Sequence, residues 1–282
     1  MTTQEQIRDA WDNIATGYDR VATPLARSLA EDVLGRVGLR PGERLLDVAA
    51  GTGALSLPAA RFGAQVLATN IAPAMIERLE ARARAEGLTN IEGRVMDGHA
   101  LELEDDTFDV SASQLGVSLF PDLQRGLREL VRVTKPGGRV LIVGFGPPQK
   151  AAFFGFFLAA MQAVVPDFTG PPMDPPPLQF QVADPSKLRQ EMTGAGLDDA
   201  QVETATWGME FRSGTHLWDL VTNSNPMGPA LVGNLTQAQQ TDVKKVLDGM
   251  LGERSGGDAP AVLNAEINVG IGAKSRIEGR KQ

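Results

Sequence analysis

Cysteine is absent from this 282-residue sequence, and histidine occurs only at His99 and His216. Without cysteine the chain can form no disulfide scaffold, thiolate nucleophile, cysteine-ligated zinc site or iron–sulfur cluster. Because the two histidines lie far apart in the sequence, we also expect no histidine-rich metal cage. The composition therefore predicts a protein without a metal centre.

Long apolar runs and basic runs are missing as well. The first twenty residues contain no apolar segment of the kind that a signal peptide requires, and the most apolar stretch, residues 151–165, is too short to cross a bilayer. The chain carries 27 Lys and Arg against 35 Asp and Glu, which gives nucleic-acid binding no electrostatic basis. We therefore expect a cytoplasmic protein that binds neither membranes nor nucleic acids.

The first half of the chain alternates between two hydrophobic patterns. Short apolar runs typical of strands buried on both faces begin at residues 44, 65, 91, 108 and 139, and helical patterns lie between them. This alternation predicts βαβ units with a parallel sheet over residues 41–146. A helical cap is expected over residues 1–40. Its helix would begin at Thr23 and Pro24, which have the pattern of an N-cap and a first-turn proline.

Beyond residue 146 the sequence becomes rich in proline, most densely between Pro166 and Pro185. Such a segment is either a stiff linker or, because apolar residues flank it, a lid; we favour the lid. A cluster that forms either core or the roof of an apolar site precedes it: Phe153, Phe154, Phe156, Phe157 and Met161. Residues 147–274 are expected to supply lid insertions and the last strands of the same sheet. Residues 275–282 resemble a vector-derived protease site.

The strongest functional signal is the glycine-containing loop at residues 47–53, between the first strand and the next helix. At such a turn, backbone N–H groups and a helix N-terminus face the crevice where ligands bind. A dinucleotide site would need a third glycine where Ser56 stands, so an NAD-dependent oxidoreductase is the less favoured alternative. Asp47, at the end of the strand, suits a cationic ligand instead. A tight turn without a ligand is the other alternative.

Further motifs follow this loop in a characteristic order: ATNIAPAM at 68–75, MDG at 96–98, FDV at 108–110 and KPGG at 135–138. Their order and spacing resemble the class I S-adenosylmethionine-dependent methyltransferases, in particular the branch with the ubiquinone and menaquinone C-methyltransferases and many natural-product methyltransferases. The resemblance covers residues 10–146. It implies S-adenosyl-L-methionine as cofactor and a Rossmann-like α/β fold. The seven-stranded, mostly parallel sheet would have the order 3-2-1-4-5-7-6, an antiparallel last strand and helices on both faces.

The resemblance also implies a set of cofactor-binding residues: Tyr18, Asp47, Ala49, Gly51, Thr52, Gly53, Asn70, Ile71, Met75, Asp97, Gly98, Gln114 and Leu115. His99, in the same loop as Asp97 and Gly98, is included with them as a candidate, and a structural role is the favoured alternative for it. The glycine loop would cradle the methionine moiety, and Tyr18 would close over it. The loop after the second strand would hold the ribose and the adenine face, and the loop after the third would meet the adenine edge. The residues after the fourth strand would lie beside the transferring methyl group.

Two positions depart from the pattern of that family. Ala49 stands where the loop usually has its first glycine, and Asn70 stands where an acidic residue is expected. An amide offers one acceptor oxygen and no charge, so we expect weakened but retained cofactor binding. Asn70 also keeps open the alternative of a non-catalytic cofactor-binding protein.

The predicted reaction is methyl transfer to a small, aromatic or otherwise apolar acceptor at oxygen, nitrogen or carbon. Displacement at a sulfonium depends mainly on proximity and orientation, and it needs a general base only if the acceptor must lose a proton early. His216, at the start of a predicted helix, is the candidate base, and a packed or surface histidine is the alternative. A quinone-pathway C-methyltransferase is the nearest alternative function. We expect a monomer or homodimer.

Overall fold

Seven strands form one sheet in the computed structural model, which describes residues 3–172, 174, 176–257 and 260–276. The strands are β1 (Arg44–Val48), β2 (Gln65–Asn70), β3 (Ile91–Val95), β4 (Phe108–Gln114), β5 (Thr134–Phe145), β6 (Leu197–Phe211) and β7 (Ala261–Lys274). Their order is β3-β2-β1-β4-β5-β7-β6, and β7 pairs antiparallel with both of its neighbours. The predicted order and the antiparallel last strand are therefore confirmed. Of the predicted tail, residues 275–282, the part from residue 277 onward lies outside the described residues.

Helices cover both faces of this sheet. They are α1 (Gln4–Arg36), α2 (Ser56–Arg61), α3 (Pro73–Ala85), α4 (Leu123–Val133), α5 (Ala152–Val164), α6 (Pro185–Gly194), α7 (Gly214–Asn223), α8 (Gly228–Val232) and α9 (Gln237–Ser255). Alternate strand residues point to opposite faces. Leu45 and Leu141 lie in one apolar core with α1, α2, α5, α7 and α9, and Leu46 and Ile142 lie in a second core with α4 and α6.

The first helix is longer than the sequence predicted. It begins after Thr3, whose side chain forms a capping box with Gln6, and it passes through Pro24 without a break. The predicted start at Thr23 is therefore wrong. The Thr23 side chain is buried, and its hydroxyl lies 2.5 Å from the Thr52 hydroxyl. Packing of the helix against the sheet outweighs the loss of one backbone hydrogen bond at proline.

The second half of the chain adds a helical layer over the end of the sheet. Phe154, Phe157 and Met161 of α5 are buried in the first core, and the ring centroids of Phe157 and Trp218 are 5.8 Å apart. Of the two alternatives for this aromatic cluster, the structure shows core. Within the described residues, no helix is both long and apolar enough to cross a membrane.

Candidate functional site

A cavity of about 310 Å³ lies at the carboxyl ends of β1 to β4. Most of the predicted cofactor residues line it: Tyr18, Ala49, Gly51, Asn70, Ile71, Met75, Asp97, Gly98, His99, Gln114 and Leu115. Three predicted residues, Asp47, Thr52 and Gly53, are not on its wall. Because parallel strands present their carboxyl ends at one edge of the sheet, motifs far apart in the sequence meet here.

The glycine loop forms one wall of the cavity. Ala49, Gly51 and Gly53 have φ angles of 58°, 55° and 95°, in the left-handed region that glycine adopts most readily. A Cβ atom at Gly51 would lie 3.0 Å from Cε1 of Tyr18, so glycine lets the tyrosine ring approach the loop. Ala49 holds a strained conformation for a residue with a side chain, and such strain concentrates at functional sites.

Asp47 lies behind the loop. It is 1% exposed, and its Oδ2 accepts a 2.5 Å hydrogen bond from the Ser56 hydroxyl at the start of α2. Burial raises the pKa of Asp47 to about 7, against the opposing effect of the Ser56 hydrogen bonds. Ser56 thus occupies the position of the third dinucleotide glycine with a specific partner. The sequence did not predict this pair.

The negative charge of Asp47 acts on the cavity side of the loop. Burial and then the Asp47 charge raise the pKa of Tyr18 to about 12. Tyr18 therefore stays protonated, and its hydroxyl can donate a hydrogen bond into the cavity. A buried acid behind the wall and a neutral phenol on it make this end of the cavity suitable for a cationic group.

The loop after β2 is shaped by two side-chain caps. Oδ1 of Asn70 accepts a 3.0 Å hydrogen bond from the Ala72 N–H, and Oδ1 of Asp12 in α1 accepts a 2.8 Å bond from the Ala74 N–H. Asn70 is buried. Since its oxygen serves the turn, its Nδ2 is the group left to meet a ligand.

The loop after β3 contains a tightly bonded pair. Oδ1 of Asp97 accepts from both the backbone N–H and Nδ1 of His99, at 2.9 and 2.8 Å. Oδ2 accepts a 2.8 Å bond from Nε2 of Gln4 in α1. The His99 ring packs on Phe120, with centroids 4.5 Å apart. Its Nε2 is buried and has no hydrogen-bond partner in the described part of the chain.

Gln114 ends β4 at the opposite side of the cavity. Its Nε2 donates a 3.1 Å hydrogen bond to the Ala26 carbonyl of α1, which fixes the orientation of the amide. The Oε1 atom is buried without a partner among the described residues. The cavity is thus lined by two residues with unsatisfied acceptors, Gln114 and His99, which a ligand with hydrogen-bond donors could satisfy.

One face of α1 roofs the cavity. Gln4, Ile7, Trp11 and Tyr18 line it, and we call these four residues the roof stripe. The sequence predicted only Tyr18. The spacing of three, four and seven residues could have indicated the others, because such residues share one face of a helix. No described residue between 147 and 236 lines the cavity, so the described part of the proline-rich segment does not cover it, and the lid stays a prediction.

His216 lies outside this cavity. Its backbone N–H donates to the Ser213 hydroxyl at 3.1 Å, and its ring packs 5.5 Å from the Phe211 ring, centroid to centroid. Burial and then the Arg212 charge lower the pKa of His216. The geometry gives the predicted role as general base no support. Among the described residues, no group of three or more His, Asp or Glu could hold a metal ion.

The sequence matches the model of the ubiE/COQ5 methyltransferase family over residues 1–170. The chain belongs to that family. The match includes the roof stripe and every loop that lines the cavity. The family assignment therefore rests on the part of the chain that builds the site.

Individual relatives cover different shares of the chain. A demethylmenaquinone methyltransferase of Clavibacter sepedonicus is 37% identical over 168 residues, which cover 57% of this chain and 66% of the relative. The corresponding enzyme of Corynebacterium efficiens is 27% identical over 214 residues, covering 72% of this chain and 90% of the relative. An uncharacterised protein of Mycobacterium tuberculosis is 38% identical over 149 residues, and this chain spans about half of its length, 53%.

Solved structures share the fold. The [4+2]-cyclase SpnF superposes with a TM-score of 0.61 and 16% identity over 97% of both chains. Phosphoethanolamine N-methyltransferase 2 of Haemonchus contortus, solved with S-adenosyl-L-methionine, superposes with a TM-score of 0.54 and 19% identity, covering 88% of this chain and 53% of that one. At these identities the likeness shows the fold alone. Because a cyclase has this fold too, the reaction must be argued from the site.

Proposed function

We propose that this protein is an S-adenosyl-L-methionine-dependent methyltransferase acting on a small, aromatic or otherwise apolar acceptor. The observation that carries the proposal is the pairing of a glycine loop, backed by the Asp47 carboxyl, with the unsatisfied acceptors of Gln114 and His99. S-adenosyl-L-methionine has a sulfonium and an ammonium at one end and an adenine amino group at the other. These positive charges and hydrogen-bond donors complement the carboxyl and the unsatisfied acceptors of the cavity.

The residues present fit this cofactor. Gly51 and Ala49 of the glycine loop line one end of the cavity, and Asn70, Ile71 and Met75 line the stretch between its two ends. When bound, the cofactor supplies an electrophilic methyl group. The chain supplies orientation, a charge behind the loop and exclusion of water by the roof stripe, and these are the main needs of a displacement reaction.

An apolar acceptor is favoured by the apolar side chains on the cavity wall. Ile7 and Trp11 of the roof stripe face the cavity, as do Leu119 and Phe120 after β4. Aromatic and aliphatic walls with few polar groups are typical of sites for small apolar ligands. Quinone C-methylation is the second candidate, because two relatives are demethylmenaquinone methyltransferases.

Calorimetry with S-adenosyl-L-methionine, S-adenosylhomocysteine and NAD tests the proposal. We expect both sulfur-containing ligands to bind with roughly micromolar affinity and NAD not to bind. Turnover is then measured against phenols, amines and a reduced demethylated quinone. Binding of NAD alone would indicate an oxidoreductase. Cofactor binding without turnover of any acceptor would favour the non-catalytic alternative.

Asn70→Asp is expected to bind S-adenosyl-L-methionine about fivefold to tenfold more tightly than the wild type. One carboxylate oxygen keeps the bond from the Ala72 N–H, and the other replaces the amide Nδ2 with an acceptor for the ribose hydroxyls, whose charge assistance corresponds to about 1 kcal/mol. Titration calorimetry on the two proteins measures the ratio. An unchanged or weaker affinity in the variant would show that the amide does not limit binding.

A further inference from the structure

β3 forms one end of the sheet, and in the described part of the chain no strand pairs with its outer edge. Its inner edge bonds to β2 through groups that include the Asn90 carbonyl and the Met96 N–H. Because the backbone groups of alternate residues point to opposite sides of a strand, those of Ile91, Gly93 and Val95 point outward. The outer edge of β3 therefore presents N–H and C=O groups in position to pair with another strand.

The side chains along this edge are both apolar and charged. Val95 is 50% exposed, which leaves an apolar side chain beside the unpaired backbone. Glu92 and Arg94 are also exposed and share one face of the strand, where Arg94 Nε donates a 2.6 Å hydrogen bond to Glu92 Oε1. Charged side chains commonly protect an edge strand from association. Here the two charges are of opposite sign, so they do not repel a strand that presents the same two charges in reverse order.

The sequence of β3, IEGRV, is such a strand when it is read in the opposite direction. Two copies paired antiparallel about a two-fold axis at Gly93 place each Glu92 opposite the Arg94 of the other copy. The same register places each Ile91 opposite the Val95 of the other copy. The outward backbone groups of these apolar residues and of Gly93 then meet as hydrogen-bonded pairs, as antiparallel pairing requires at alternate positions.

Neighbouring registers are less favourable. A two-fold axis moved by one residue places either two Glu92 or two Arg94 side chains directly opposite each other, and like charges in that position are destabilising. On the other face of the strand, Glu80 of α3 lies beside Gly93, and its ion pair with Arg84 at 3.6 Å offsets its charge. The charges therefore favour the register centred at Gly93.

We propose that two copies of this chain associate through the outer edges of β3, centred at Gly93, so that one sheet continues across both. This inference depends neither on the cofactor nor on the reaction. An edge of five residues buries less surface than the roughly 1,200 Å² at the lower end of stable interfaces. We therefore expect a weak dimer, with a Kd on the order of 10 to 100 μM.

Sedimentation velocity between about 5 and 500 μM brackets this Kd, and we expect the wild type to change from monomer to dimer over that range. Glu92→Arg and Arg94→Glu each place like charges opposite each other at both ends of the pairing. Each variant alone should dimerise about tenfold more weakly than the wild type. An equimolar mixture of the two variants should form heterodimers, and the double variant Glu92→Arg/Arg94→Glu should regain wild-type association.

Arg128→Glu is the matched control for net charge. Arg128 is exposed on α4, and its replacement changes the charge of the chain as much as Arg94→Glu does. Because α4 packs on β4 and β5 rather than on β3, this variant should associate as the wild type does. Thermal melts of all variants verify that the charge changes leave the fold intact.

Cross-linking tests the register directly, because the chain contains no cysteine. In the double variant Ile91→Cys/Val95→Cys, position 91 of one copy faces position 95 of the other with Cα atoms about 5.5 Å apart, which a disulfide can span. The two positions within one chain are about 13 Å apart along the strand. Mild oxidation should therefore give a covalent dimer from the double variant and none from Ile91→Cys alone.

Four results would overturn the inference. A wild type that stays monomeric over the whole range would show that the charges of β3 protect the edge. Dimerisation that Arg94→Glu leaves unchanged would place the interface on another surface, as would a failure of the mixed variants to form heterodimers. A double-cysteine variant without a covalent dimer would contradict the register. Cofactor binding enters none of these measurements, so failure of the proposed function would be a separate result.

Discussion

At pH 8, Asp47→Asn is expected to raise the free energy of unfolding by about 2 kcal/mol and to weaken binding of S-adenosyl-L-methionine about tenfold. Burial raises the pKa of Asp47 to about 7. Compared with an ordinary aspartate pKa near 4, this corresponds to about 4 kcal/mol of lost stability once the carboxyl ionises. The asparagine avoids that loss. Its Nδ2 has no acceptor next to Ser56, however, and this unpaired buried donor reduces the gain in stability by about 1 to 3 kcal/mol.

The pH dependence of this difference has a definite sign. The folded-state pKa of Asp47 is raised, so the stability from its neutral form is fully present below about pH 4 and is lost as the pH rises to about 7. The variant is therefore expected to be no more stable than the wild type at pH 4 and more stable at pH 8. There its melting temperature should be higher by about 5 °C.

Affinity should change in the opposite sense. The ionised Asp47 carboxyl attracts a cationic ligand through the glycine loop, as it already acts on Tyr18. Wild-type affinity for S-adenosyl-L-methionine should rise between pH 6 and pH 8, and affinity of Asp47→Asn should stay nearly level. Thermal melts and calorimetry over this range measure both effects. Equal stability of the two proteins at pH 8 would contradict the raised pKa.

Asp109→Asn is the matched control, since its pKa is shifted in the other direction. Burial tends to raise the pKa of Asp109, but hydrogen bonds from Lys135 and the Arg44 N–H outweigh it and lower the pKa overall. The stability that Asp109 contributes is therefore present above its unfolded pKa and lost in acid. Its variant should be less stable than the wild type at pH 8, opposite to Asp47→Asn.

Much of the site could be predicted because the strands that end at it, β1 to β4, run parallel. Ala49, Asn70 and Gln114 each follow or end a strand, and the strand order brings these ends to one edge. Recognising the motifs was therefore enough to locate the cavity. What a side chain does there depends on its contacts, which the motif does not contain. Asp47 shows the difference, since its carboxyl is bonded to Ser56 behind the loop.

Local sequence patterns gave wrong predictions where tertiary packing determines the structure. Thr23 and Pro24 are a reliable local signal for a helix start, yet α1 continues through them. Because the predicted helix starts at Thr23, no cavity-facing side is predicted for the first half of α1. Three of the four residues of the roof stripe were missed for this reason. The proline-rich segment is predicted as a lid from its composition and its apolar flanks. Composition does not specify where a segment lies, and in the structure α1 covers the cavity.

Gly17→Ala is expected to lower the free energy of unfolding by about 3 kcal/mol. At Gly17 the backbone of α1 meets the end of α7, and a Cβ atom there would overlap the carbonyl of Asn223. Backbone atoms cannot rotate away from such an overlap as a flexible side chain can. The same crossing carries an ion pair between Arg20 and Asp219 at 3.0 Å, so a shift of α1 would disturb more than one contact.

The shift should also reach the cavity, because Tyr18 adjoins Gly17 and its ring approaches the glycine loop at Gly51. We expect affinity for S-adenosyl-L-methionine to fall about tenfold. Gly35→Ala in the same helix is the control, because a Cβ atom there meets nothing within 4 Å. It should add about 0.5 to 1 kcal/mol of stability and leave affinity unchanged. Urea denaturation and calorimetry compare the two variants. Similar stabilities would contradict the close approach, whereas lost stability with full affinity would show that the α1–α7 crossing does not position Tyr18.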